Sequence, residues 1–389
     1  MLLKKRKPPR VLPFFFALLF LQSMELFASP RIGKVNGTLQ NGYSLTVTGS
    51  GFGANGPQIV IFDDFESGVA GNEIRTGSGS APVGQWDRLG GGDNSCHPIY
   101  GSGYSVSGRQ AMQVDNTKKT NTGTDSNCAA IIKNLNATDI FIAYWLYMPT
   151  TSSFPCYSHG DCNWKPVWFV GQDTRYADEI IPRGLGPVAD NNSPLSDWGV
   201  TCNGCASPKE NNFSWSMQKG KWYRIWSWIH GTALPDKTGR KLLWISSVDD
   251  NMPVTKKLDV TQAVFDPALG SQFLSLNFGG WGRWCNIATN PDCTESAARF
   301  DDIYLAKGPN AMARVEIGDA AVYSMCKRLT VAAVSYWSES LITATVFQGS
   351  FVNLNNAYLY VFDADGNVNP TGFSLGNPQP KIPLPPVLH

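Results

Sequence analysis

Apolar and polar residues alternate with a period of two through much of the chain, most clearly in Ser44-Leu45-Thr46-Val47-Thr48 and from Lys221 to His230. Alternation of this kind between turn clusters predicts half-buried strands of antiparallel sheets. No convincing amphipathic helix is present, and Thr261 to Leu269 holds at most a short turn of helix before Pro267 interrupts it. The pattern predicts an all-β protein. With Trp222 to His230 as a strand, Trp222, Arg224, Trp226, Trp228 and His230 share one face and Tyr223, Ile225, Ser227 and Ile229 the other.

The first residues change the picture from strand to export signal. Lys4, Lys5, Arg6, Lys7 and Arg10 precede an apolar run from Val11 to Leu21, with small residues at Ala28 and Ser29, which predicts a signal peptide over residues 1–28 and a secreted or cell-surface protein. Leu26 fits poorly before a cut after Ala28, so retention as an anchor is the alternative. The run is shorter than the ~20 apolar residues a spanning helix needs, and no later segment reaches that length, so no integral membrane segment is expected after signal removal. Thirty-two Lys and Arg nearly cancel 31 Asp and Glu, and several of the cations sit in the signal. The mature chain lacks the basic stripe that would bind phosphates, so no nucleic-acid partner is expected.

Export also bears on the nine cysteines. Eight fall into neighbours, Cys96 with Cys128, Cys156 with Cys162, Cys202 with Cys205 and Cys285 with Cys293, which an oxidising compartment favours as disulfides and which leave Cys326 unpaired. A zinc site from Cys156, Cys162, Cys202 and Cys205 is the competing reading.

Two stretches resemble known families. Ser44-Leu45-Thr46-Val47-Thr48-Gly49-Ser50-Gly51-Phe52-Gly53 resembles the opening of an IPT/TIG immunoglobulin-like domain, and Ala313 to Asp319, Tyr336 to Val346 and Tyr358 to Asp363 resemble its later strands. Between them, Ile61-Phe62-Asp63-Asp64-Phe65-Glu66-Ser67-Gly68, Gly220-Lys221-Trp222-Tyr223 and Phe300-Asp301-Asp302-Ile303-Tyr304-Leu305 resemble the first, middle and last strands of a concanavalin A-like jelly roll of the laminin-G, lectin and glucanase superfamily. The resemblance implies a two-sheet jelly-roll sandwich over residues 58–308, inserted into a split immunoglobulin-like β-sandwich over 30–57 and 309–375. Residues 376–389 are Pro-rich and expected to be an extended tail.

In such jelly rolls the first and last strands are adjacent, which would bring Asp63, Asp64 and Glu66 towards Asp301 and Asp302 as a structural calcium site. The alternative is that these acids cap turns and bind backbone amides. On the Trp222 face, indoles can stack on pyranose rings while Arg224 and His230 bond to hydroxyls or carboxylates. Trp226 and Trp228 on that strand, with Trp168, Trp281 and Trp284 in aromatic loops, are candidate walls of a concave glycan site; the alternative is that these tryptophans are core.

Enzymatic signals are weaker. The E-x-D-x-E strand of laminarinase-type jelly rolls is missing, which argues against retaining hydrolysis. The alginate-lyase Gln-x-His pattern is reduced to Trp228-Ile229-His230, although His230, Arg224 and Tyr147 could still form a base and a carboxylate neutraliser. The chain holds neither a Walker loop nor HExxH.

The expectation is therefore an exported carbohydrate-binding or adhesion-type protein whose partners are a polysaccharide or glycoconjugate and a cell-surface protein. A polysaccharide lyase or other carbohydrate-active enzyme and a structural surface-assembly protein are the alternatives.

Overall fold

The computed structural model describes residues 29–91, 97–115, 126–150, 164–171, 177–182, 195–202, 210–265, 270–282 and 297–376. Among them the chain is all β, with three sheets and a single 3-10 turn at Tyr323–Met325. The expected signal peptide and Pro-rich tail lie outside the described residues, as do Cys96, Cys156, Cys162, Cys205, Cys285, Cys293 and Trp284.

One seven-stranded sheet joins the two ends of the chain. Its order is Arg31–Gly37, Ser44–Ser50, Leu341–Thr345, Leu329–Trp337, Arg314–Gly318, Tyr358–Phe362 and Phe373–Ser374. Leu45 and Val47 alternate inward from the second strand and meet Ile342, Ala344, Val315, Ile317, Leu359 and Val361 in one apolar core. We call this body the terminal unit.

The strands between Gln58 and Lys307 build a two-sheet sandwich. Its central sheet is nine-stranded and runs through Met252–Thr261, Arg240–Ser247, Trp222–His230, Asp139–Tyr147, Ala297–Lys307, Gln58–Asp63 and Val83–Gly84, with Gln110–Asp115 and Ile99–Ser102 added at one end. The outer sheet is Glu210–Met217, Leu195–Cys202, Ala177–Pro182, Trp164–Val170, Ser275–Gly282, Ser126–Ile132 and Arg88–Gly91. Period-two alternation decides what each strand contributes. Tyr223, Ile225 and Ile229, with Ile140, Ile142, Tyr144, Phe300 and Leu305, point into the sandwich and meet Val167, Phe169, Leu276 and Phe278 of the outer sheet. Cys128 is buried in this core and disulfide-bonded.

The opposite face of the central sheet is not solvent-facing along its middle. Phe62, Phe141, Ala143, Trp226 and Tyr304 pack against Met312, Cys326, Leu329, Val331, Phe347, Tyr360 and Phe362 of the terminal unit in a second continuous core. Full burial of one such aromatic side chain is worth about 1.5–3 kcal/mol, so this contact makes the sandwich and the terminal unit a three-layered whole.

A charged cluster lies inside it. Glu316 is fully buried; its Oε1 accepts from Arg224 Nη2 at 2.8 Å and lies 3.3 Å from Arg314 Nε, and its Oε2 accepts from the Tyr323 hydroxyl at 2.5 Å. The Arg314 guanidinium sits 4.4 Å from the ring centre of Phe141 on the sandwich and 3.6 Å from that of Phe362 in its own unit, a cation–π contact to both sides of the junction. Buried charge is tolerated only when paired and hydrogen-bonded in this way. Cys326 is free and buried beside it, and burial pushes its thiol up to about 11, which leaves it inert at neutral pH.

Replacing Glu316 by Ala strands two buried guanidinium groups. The expected loss is about 3–5 kcal/mol of unfolding free energy, measured by denaturant titration of the full chain. A change below about 1 kcal/mol would mean that the cluster does not hold the junction.

Candidate functional site

The strand Trp222–His230 carries most of the residues expected to bind ligand, and the structure divides them into three environments. At its centre Arg224 is 2% exposed and Trp226 is 1% exposed, both covered by the terminal unit. The Arg224 guanidinium is committed to Glu316 and lies 5.4 Å from the Trp226 ring centre. This corrects the expectation of an open aromatic concavity on this face: the large side chains there fill an interface between two packed bodies.

At the strand's C-terminal end the cover stops. Trp228 is half-buried and stacks on His230 with ring centres 5.8 Å apart and planes inclined by 14°. The His230 side chain is 41% exposed, and its Nδ1 is hydrogen-bonded to Oδ1 of the buried Asp139, its cross-strand partner. Oδ2 of Asp139 accepts from Thr138 Oγ1 at 2.6 Å, which fixes the carboxylate and with it the imidazole plane. On the other side His230 is in register with Arg240, which makes a two-pronged ion pair with Asp259 at 2.9 and 3.0 Å, joined by Lys256 Nζ at 2.5 Å. The result is a flat aromatic and imidazole pair bordered by charged groups. The indole N–H of Trp228 is buried and has no hydrogen-bond partner among the described residues.

At the N-terminal end Tyr147 and Trp222 are cross-strand neighbours with ring centres 5.1 Å apart. Tyr147 lies eight residues from the His230 row and Arg224 six, about 26 Å and 20 Å at roughly 3.3 Å per residue. Arg224, His230 and Tyr147 are therefore not brought together, and the structure does not assemble the base-and-neutraliser set that elimination requires.

Trp168 lies on another surface. Val167 and Phe169 point into the sandwich, so the half-buried Trp168 between them faces the far side of the outer sheet, in register with Asn277 and Glu179. Trp281 is a strand residue of the same sheet, in register with Lys165 and Asn127, and its side chain lies outside the described set. Among the described side chains, Trp168 therefore does not share a surface with Trp226 and Trp228.

The five expected metal carboxylates do gather where first and last strands pair, with Ile303 opposite Asp63. Their oxygens are mostly spent on protein donors. Asp63 accepts from Phe65 N and from Trp86 Nε1 at 2.9 and 2.7 Å. Asp64 accepts from Glu66 N, and Glu66 Oε1 from Arg109 N and Gln110 N. Asp301 accepts from Val106 N, Ser107 N and Asp302 N, and Asp302 Oδ1 from Ser107 Oγ at 2.7 Å. Among the described residues no group of three or more His, Cys, Asp or Glu side chains could hold a metal ion. These contacts are to backbone and side-chain donors of the protein, and Oδ2 of Asp302 is buried with no hydrogen-bond partner among the described residues.

Burial raises the four aspartates. Desolvation lifts Asp63 from the ordinary carboxylate range to about 7 against its hydrogen bonds from Trp86 and Phe65. Asp301 and Asp302 are raised too, first by burial and then by neighbouring carboxylates, Asp302 for Asp301 and Asp64 for Asp302.

Asp139 and Glu316 were not legible as partners of His230 and Arg224. The one available signal for Glu316 was Arg314-Val315-Glu316-Ile317, where opposite charges share a face of an otherwise apolar strand.

No protein-family model matches the chain, and no curated protein does. Solved structures similar to it include a PL-14 alginate lyase from Aplysia kurodai, 10% identical over 66% of this chain and 100% of that one, with a TM-score of 0.41. An endo-β-1,4-glucuronan lyase from Trichoderma reesei is 12% identical over 62% and 98%, with a TM-score of 0.35. The lectin UEA-II complexed with galactose is 12% identical over 54% and 92%, with a TM-score of 0.32. Likenesses of this extent are of fold and assign no residue role here.

Native carboxyls raised above the unfolded value of about 3.9 bind more protons folded than unfolded. Their contribution is greatest below that value and falls as pH rises to about 7 through the native Asp63 value. Asp302→Asn is expected to flatten part of this decline, read as the change in thermal midpoint between pH 5 and pH 8; an unchanged slope would remove Asp302 from the group.

Proposed function

We propose that this is an exported carbohydrate-binding protein, with the sandwich as the glycan-binding body and the terminal unit, read as an immunoglobulin-like domain, as its rigid mount. The observation that carries the reading is the uncovered end of the Trp222–His230 strand. There a half-buried indole and an Asp139-oriented imidazole lie nearly parallel beside charged hydrogen-bonding groups. Flat aromatic surface meets the apolar side of a pyranose ring, and adjacent donors and acceptors bind its hydroxyls. Export is supported by the basic and apolar opening of the sequence.

Binding is favoured over catalysis because His230 stands apart from Arg224 and Tyr147. The test is to incubate the mature protein with soluble β-glucan, galactan and alginate and to follow complex formation and polymer mass by size-exclusion chromatography with mass detection. Co-elution with intact polymer is expected. Trp228→Ala should weaken the affinity for the bound polymer about tenfold, equivalent to about 1.4 kcal/mol, and His230→Ala less. A fall in polymer mass that His230→Ala abolishes would replace the reading with an enzyme; no binding to any polymer would overturn it.

A further inference from the structure

Three of the acidic side chains at the paired first and last strands, Glu66, Asp301 and Asp302, converge on one segment. Ile99–Ser102 and Gln110–Asp115 pair as a hairpin, Ser102 opposite Gln110, and the residues between them form its loop. Asp301 Oδ2 holds Val106 N at 2.8 Å and Ser107 N at 3.0 Å, and Asp302 Oδ1 holds the Ser107 hydroxyl. Glu66 Oε1 holds Arg109 N at 2.6 Å and Gln110 N at 2.8 Å. Gln110 Nε2 then donates to the Phe65 and Gly68 carbonyls. Three acidic side chains, two of them buried, thus fix a surface loop, Asp301 and Glu66 by its backbone and Asp302 by the Ser107 hydroxyl, where an ordinary hairpin loop would be left to water.

The loop presents Tyr104. Arg299, Tyr147 and Trp222 form a cross-strand row on the central sheet, on the face shared with Arg224 and Trp226. The Tyr104 ring lies across two members of that row. Its centre is 5.5 Å from that of Tyr147, with planes inclined by 22°, and 5.2 Å from the Arg299 guanidinium carbon. With both contacts in place Tyr104 is still 55% exposed. An exposed tyrosine immobilised by stacking below and by an anchored loop on either side loses little freedom when a flat ligand settles on it.

We propose that Tyr104 is a second glycan contact, a preorganised stacking platform for a pyranose ring of the same polysaccharide, held beside the Arg299 guanidinium. It stands at the opposite end of the sheet face from Trp228 and His230, on the far side of the region covered by the terminal unit. Two contacts on one polymer raise its effective affinity without any new interaction at either, and account for an anchored aromatic at each uncovered end. The proposal rests on the glycan-binding reading above.

The experiment measures affinity of the full chain for the polymer that co-elutes with it, by titration calorimetry, for the wild type, Tyr104→Ala, Tyr104→Phe, Ser107→Ala and Trp228→Ala. Tyr104→Ala is expected to weaken binding at least fivefold, Tyr104→Phe to stay within twofold, and Ser107→Ala, which loosens the loop but keeps the ring, to fall between them. Circular dichroism of each variant checks that the fold is kept. If Tyr104→Ala binds like the wild type while Trp228→Ala does not, the second contact is overturned and the glycan reading stands. If the wild type binds none of the polymers, both fall together.

Discussion

The ion cluster of Arg224, Glu316, Arg314 and Tyr323 constrains everything around it. A carboxylate without exposure survives only where donors meet both oxygens, and here they come from two different bodies: Arg224 from the middle of the sandwich, Arg314 and Tyr323 from the terminal unit. Apolar packing between Trp226, Phe141 and Tyr304 and their partners supplies the driving force, but it is non-directional. The cluster adds direction. Sliding the terminal unit along the sheet would separate opposite charges in a low-dielectric interior, so the position of the cover is set, and so are the sheet ends that remain uncovered.

Much of this architecture could be read from alternation. The strand Trp222–His230 has the bounds and the two faces that its sequence implies, and the pairing of the first and last strands of the sandwich puts Asp63 opposite Ile303 as the DDFE and DDIYL stretches suggested. What covers each face could not be read. A period of two divides residues into two sets without saying whether the polar-tipped set meets water or another layer, and Trp226 and Arg224 suit either. The decisive partner, Glu316, lies 92 residues from Arg224 in sequence. The acidic residues escaped for a different reason: their partners are main-chain N–H groups of Val106, Ser107, Arg109 and Gln110, and every residue but proline carries that donor.

The same carboxylates show how order at the surface is obtained from cost in the interior. Asp301 and Asp302 sit where burial works against their charge, and Asp302 adopts a left-handed backbone conformation, φ 46°, uncommon for a residue with a side chain. Such positions persist only when surrounding contacts over-determine them. In this chain the contacts are the bonds that hold the hairpin loop, so the strain and the rigidity of Tyr104 belong to one arrangement.

The terminal unit is built from both ends of the described chain, with Ser44–Ser50 laddered to Leu341–Thr345. Tension applied across those ends passes through the sheet in series, from Arg31–Gly37 at one edge to Phe373–Ser374 at the other, and the Ser44–Ser50 to Leu341–Thr345 ladder of five residue pairs is one link of that path. The sandwich is spliced into this sheet between Ser44–Ser50 and Arg314–Gly318, so pulling on the two ends loads the terminal unit before it stretches the sandwich.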